Sequence, residues 1–267
     1  MAHFTNLLYV ALKWTQRDRI FHTLLGVALL MFLLIPTFSI FSMRQVQELS
    51  ITLSLSAISL VLLFLATLLG ASSIWRDVEK RYINSVLGLP ISRATFVLGK
   101  FSGVVCLLIL SALVLGIVSL AVIRISSDFY PSSLPISWLN IIAAITADTG
   151  KFILIAAFAT LFSSLSTSFF LPFFGTISVY LAGSASQDVF EYISGDYGRT
   201  ISPLFRLLVK GLYYLIPNFS AFNLKVQAIY ALPLSLSGLV FTLLYFLVYL
   251  ALLLFFSVWI FSRRELP

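Results

Sequence analysis

The chain has 267 residues, 60% of them apolar and only 10% charged, whereas a water-facing domain of this size needs about a quarter charged to cover its surface. That balance excludes an ordinary soluble domain and points to lipid as the surrounding medium. The net charge of +7 does not indicate nucleic acid, because the basic residues stand in short clusters between long apolar runs, as orientation in a membrane requires.

Residues 4–19 put Phe4, Leu7, Leu8, Ala11, Leu12 and Thr15 on one helical face, with Asn6, Lys13, Gln16 and Arg17 elsewhere. This spacing predicts an interfacial helix lying in the membrane plane. Residues 20–43 are uncharged and long enough to cross some 30 Å of hydrocarbon. The run is too long for a signal-peptide core, and no Ala-x-Ala site follows it, so it is expected to be a crossing and not a cleaved leader. Residues 51–75 predict the second crossing and 101–123 the third. Next comes an uncharged stretch from Phe152 to Gln187, 36 residues long, too long for a single span. The polar run Ser163-Ser164-Leu165-Ser166-Thr167-Ser168 divides it, giving crossings at 139–164 and 169–185. Residues 186–233 are expected outside the membrane, with an amphipathic helix near Ser202–Ile216. There Ser202 suits the cap, Pro203 the first helical position and Pro217 the stop. Arg206, Lys210 and Tyr213 or Tyr214 recur on one stripe of this helix. The last crossing is expected at 234–261. The fold class is therefore all-α, a single polytopic domain over 1–267 with six transmembrane helices.

Lysine and arginine set the orientation. With the N-terminus inside, the inner segments hold Lys13, Arg17, Arg19, Arg76, Lys80, Arg81, Arg93, Lys100, Arg263 and Arg264. The outer ones hold Arg44, Arg124, Arg199, Arg206, Lys210 and Lys225. Ten against six places both termini in the cytoplasm and the protein in a cell membrane, most simply the cytoplasmic membrane of a prokaryote.

The densest charge lies between the second and third crossings, in Arg76-Asp77-Val78-Glu79-Lys80-Arg81-Tyr82-Ile83. Gly88 and Pro90 then interrupt helix, and Ser92 suits the cap of the helix that resumes. Spacing alone fits a solvated turn carrying inner-side charge. It fits equally a docking element, in which mixed charge flanks an apolar face of Ile83, Val86 and Leu87. Within the fourth crossing, Asp148 and Lys151 stand three residues apart and share a helix face. Ionisable groups inside a membrane are functional candidates, and a structural ion pair is the competing reading here. Thr52, Ser54, Ser56 and Ser59 on the second helix suit helix packing better than a path.

The mixed-charge segment, followed by Leu89-Pro90-Ile91-Ser92-Arg93 and then Phe96-Val97-Leu98-Gly99-Lys100, resembles the permease subunit of type-2 ABC transporters. The likeness is nearest to the six-helix branch that includes the permeases of nitrous-oxide-reductase maturation. Arg17-Asp18-Arg19 before the first crossing, the Ser163–Ser168 turn, and the run from Leu215 to Leu224 agree in order. The chain departs from the family where Glu79-Lys80-Arg81-Tyr82-Ile83 replaces a common Glu-x-x-x-Gly-Thr pattern, and in lacking an acidic residue near Lys13. The resemblance implies a homodimer that docks a separate cytoplasmic ATPase through a coupling helix spanning Asp77 to Ser85. Glu79, Arg81 and Tyr82 would be the main contacts, with Asp77, Lys80 and Ser85 beside them; Pro90, Ser92, Arg93, Gly99 and Lys100 would shape the loop. It also implies export driven by ATP and magnesium held in the partner, with no cofactor on this chain.

The chain has no Gly-x-x-x-x-Gly-Lys-Ser/Thr sequence and so no phosphate-cradling loop of its own. Its lone Cys106 and its two histidines, His3 and His22, offer no metal-ligand spacing. The competing functions are an ion-coupled carrier or channel, with Asp148 as the sole intramembrane carboxylate, and, less favoured, an intramembrane hydrolase. For the latter, neither Gly-x-Ser-x-Gly nor His-Glu-x-x-His is present.

Overall fold

The computed structural model describes residues 19–42, 45–80, 82, 92–129, 134–195 and 202–264. The predicted interfacial helix at 4–19 lies outside these residues, except for Arg19, which opens the first observed helix. Among the described residues every regular element is helical: α1 (Arg19–Ile40), α2 (Val46–Glu79), α3 (Arg93–Phe129), α4 (Trp138–Leu165), α5 (Phe170–Ser194), α6 (Pro203–Leu215), a 3₁₀ turn (Phe219–Phe222), α7 (Lys225–Ile229) and α8 (Leu236–Arg263).

Five of these, α1, α2, α3, α4 and α8, are long and apolar enough to cross a membrane. α5 has the length at 25 residues, but its second half carries Ser184, Ser186, Gln187, Asp188 and Glu191, and it does not join the five on apolarity. It runs to Ser194, well past the expected end at 185. Helix formation outlasts apolarity elsewhere too. α2 has 34 residues and α3 has 37, so at 1.5 Å per residue each is about 50 Å long and outreaches the hydrocarbon.

α2 and α4 form the centre. α2 packs on α1, α3, α4 and α5, and α4 packs on α2, α3, α5 and α8. Their contact is close because Gly70 lies against Ala156 and Ala159: a Cβ at Gly70 would come within 2.6 Å of the Ala159 Cβ. Small residues let helix backbones approach where lipid gives no hydrophobic drive for association. Ile58, Leu62, Leu65, Leu107, Phe152 and Leu154 fill the layers around this seam with almost no exposure. α8, by contrast, exposes Leu236, Phe241, Leu243, Val248 and Phe255, an apolar surface that suits lipid.

The helix ends follow sequence signals. α4 stops at Leu165 within the run of hydroxyl residues, where the Ser166 Oγ accepts from the Ser168 amide at 3.0 Å and donates to its carbonyl at 2.7 Å. The Ser92 Oγ accepts from the Thr95 amide at 3.1 Å and caps α3. Ser202 caps α6 by accepting from the Phe205 amide at 3.3 Å.

Candidate functional site

Charge gathers at two places. The first is the end of the bundle where α2 finishes and the starts of α3 and α5 meet the end of α8. α2 continues as helix through Asp77 and Glu79, so these residues belong to its last turn and do not begin a separate coupling helix. Polarity does not end a helix, and Arg-Asp-Val-Glu carries no residue that breaks one. Asp77, 7% exposed, forms an ion pair with Lys100 of α3 at 2.6 Å. It therefore ties the two flanks of the charged loop together and is not on the surface. Glu79, Lys80 and Tyr82 are exposed. Arg81, Ser85 and Pro90 lie outside the described residues. Gly99 is buried in α3 one residue before Lys100.

Arg93, at the start of α3, donates to the carbonyls of Phe261, Ser262 and Arg264 at 3.4, 3.0 and 2.8 Å. The last carbonyls of a helix have no partner inside it and attract cations; Arg93 thus caps α8. Arg264 does the same for α4, donating to the Ser164 and Ser166 carbonyls at 2.9 and 3.0 Å. Burial lowers the Arg264 pKa from its ordinary value. Trp75 completes the end, its indole N–H donating to the Thr167 carbonyl at 3.1 Å, its ring 5.4 Å from that of Phe169. Phe96 stacks on Phe261 at 5.6 Å beside Lys100. Sequence reasoning marked Arg93 but missed the role of Arg264, whose position after an apolar run reads as ordinary orienting charge.

The second place lies toward the other end, inside the bundle. Asp148 and Lys151 on α4, 7% and 8% exposed, form an ion pair within the helix. The other Asp148 oxygen accepts from the Ser59 hydroxyl on α2, and the Lys151 ammonium lies 4.5 Å from the Phe152 ring centre. Both carboxylate oxygens are thus engaged, as burial of a charge demands. Lys225 of α7 extends this cluster and was not foreseen there. Its ammonium reaches the Ser56 hydroxyl at 3.4 Å. Burial lowers its pKa, Asp148 works against that fall and Lys151 adds to it. Of the second helix's hydroxyls, Thr52 bonds its own helix at Glu48 and Ser54 is buried, while Ser56 and Ser59 turn to Lys225 and Asp148.

Asn140 holds Lys225's element in place. Its side-chain amide donates to the Gln227 and Leu232 carbonyls at 2.9 and 2.8 Å. α7 ends with Ala231 at φ 50° while the Leu232 amide reaches back to the Gln227 carbonyl at 3.2 Å, a left-handed helix stop.

No protein-family model matches the chain, and no curated protein matches it.

Proposed function

We propose that the chain is the membrane-spanning subunit of an ABC transporter, an exporter working as a homodimer, in which a separate ATPase grips the loop between α2 and α3. The observation that carries this reading is the construction of that loop's base. Glu79, Lys80 and Tyr82 are offered to water, while directly beneath them Asp77–Lys100 and Arg93 bind the loop's two flanks to each other and to the end of α8. A push on the exposed residues would thus reach α2, α3 and α8 as a unit and, through Arg264, α4. A solvated turn needs no such footing.

Six crossings follow on this reading, with α5 as the fifth. Trp75 meets Phe169 at one end of α5, and Gln187 near its other end takes hydrogen bonds from Tyr213 and Asn218. These contacts support α5 as the segment that returns the chain across the bundle between α4 and α8. An ion-coupled carrier is less well supported, because Asp148 has both oxygens committed.

The test is purification of the intact protein from its native membrane in mild detergent, with identification of what accompanies it. An ATPase bearing a Walker A loop is expected in stoichiometric amount, and Glu79→Arg combined with Tyr82→Ala is expected to reduce it at least about tenfold, the loss of roughly 1.4 kcal/mol. The absence of any such ATPase, or its undiminished retention by the double variant, would refute the proposal.

A further inference from the structure

A cleft of about 300 Å³ opens between α6, the 3₁₀ turn and the first half of α8, lined chiefly by Tyr213, Tyr214, Asn218, Phe241, Tyr245 and Tyr249. It lies at the end of the bundle opposite Asp77 and Arg93. We propose that this cleft is a binding site for a quaternary ammonium group, such as the choline end of a lipid headgroup or of a small soluble amine. The inference is independent of the ATPase reading.

Five aromatic rings form its wall, and among the described residues no carboxylate or basic side chain lines it. Several of its polar groups are already bonded, to Gln187 and to one another. The Tyr213 hydroxyl donates to Gln187 at 3.0 Å, the Asn218 side-chain amide donates to Gln187 at 2.7 Å and to the Tyr213 oxygen at 3.3 Å, and the Asn218 backbone amide donates to the Tyr245 oxygen at 2.8 Å. These bonds fix Tyr213 and Tyr245 and commit the Tyr213 and Asn218 donors that an anion would need. Ring contacts brace the set further: Phe190 stacks on Tyr213 at 4.1 Å, and Tyr249 meets Tyr245 at 4.6 Å with the rings tilted.

A ring's face is electronegative and its edge electropositive, so a cation is attracted wherever rings turn their faces to it, even without a formal counter-charge. A compact primary ammonium loses strong hydration on entering such a site. A methylated ammonium loses less and adds apolar contact, so it fits both the charge preference and the apolar walls. The cleft suits a headgroup by position also. Lys210 precedes Tyr213 by about one turn of α6, where the phosphate of a zwitterionic lipid would find positive charge.

The probe is choline against its uncharged tert-butyl isostere, titrated by saturation-transfer NMR onto the full chain in nanodiscs of phosphatidylglycerol. Saturable choline binding is expected, with the isostere about tenfold weaker. Tyr249→Phe, which keeps the ring, should bind choline within about twofold of the parent, and Tyr249→Leu, which keeps the apolar bulk, about tenfold more weakly. Equal binding of the isostere, retention by the leucine variant, or no saturable binding would overturn the assignment. The isostere comparison uses the unaltered protein and so stands even if a variant folds poorly. Repeating the titration in discs containing phosphatidylcholine separates the sources: competition identifies the lipid headgroup as occupant, and unchanged affinity identifies a soluble amine.

Discussion

At the scale of single residues, the buried pair Asp148–Lys151 makes a sharp distinction between removing one charge and removing both. Asp148→Asn leaves the Lys151 ammonium buried and without its counter-ion, an arrangement that costs about 3–5 kcal/mol. Asp148→Asn with Lys151→Met removes both charges and keeps the volume, and such replacements are often neutral or stabilising. The double variant should therefore melt closer to the parent than Asp148→Asn alone, as read from the thermal midpoint in nanodiscs. A double variant less stable than Asp148→Asn alone would mean that the pair contributes more than mutual neutralisation. Ser59 sharpens the expectation, because its hydroxyl is directed to Asp148 and still finds an acceptor in Asn. The three-residue spacing made this pair legible in the sequence. Lys225 was not legible as its neighbour, because nothing local in the segment 186–233 indicates that α7 folds back against α2 and α4. Nor was Asp77–Lys100, since its partners lie on either side of a loop and each reads alone as an orienting or solvated charge.

At the scale of elements, the α2–α4 seam rests on one missing side chain. A Cβ at Gly70 would meet the Ala159 Cβ at 2.6 Å and the Ala156 carbonyl oxygen at 3.2 Å, and two helix backbones must then separate. Gly70→Ala is expected to cost about 1–3 kcal/mol by overpacking. Gly26, on α1, has nothing within 4 Å of the same atom, so Gly26→Ala should be neutral or stabilising by up to about 1 kcal/mol through helix propensity. Thermal midpoints of the two variants should move apart. A Gly70→Ala protein as stable as its parent would show that the seam yields. Helix existence and order were readable from apolar runs, hydroxyl caps and prolines, because those signals are local: the break at Ser163–Ser168, the cap at Ser92 and the start at Ser202–Pro203 all stand as expected. Helix length was less readable. Hydropathy ends near Trp75, but backbone hydrogen bonding continues to Glu79, and nothing in apolarity records where it stops. α5 shows the converse: its length suits a crossing while its polar second half weakens the hydropathy signal.

At the scale of the whole molecule, the arginine caps decide which helix ends lie together. Arg93 begins α3 and bonds the end of α8, and Arg264 ends α8 and bonds the end of α4. The ends of α4 and α8 are therefore neighbours, and α8, 28 residues long, must begin at the opposite end. The chain between them has to travel the length of the bundle once, and α5 is the helix long enough to do so. If the bundle stands across a membrane, Glu79 and Ser262 face one compartment, and Ser235, exposed at the start of α8, faces the other. Asp188, exposed late in α5, should side with Ser235. Single cysteines at Glu79, Asp188, Ser235 and Ser262 in a Cys106→Ser background, probed with a membrane-impermeant maleimide on sealed vesicles of known orientation, test all four placements. Glu79 and Ser262 should react from the cytoplasmic face, and Asp188 and Ser235 from the other. Reaction of Asp188 together with Glu79 would mean that α5 turns back without crossing, leaving five spans and an α8 whose start the chain must reach by another route. Reaction of Glu79 and Ser262 from opposite faces would contradict the arginine contacts themselves, and with them the footing on which an ATPase could act.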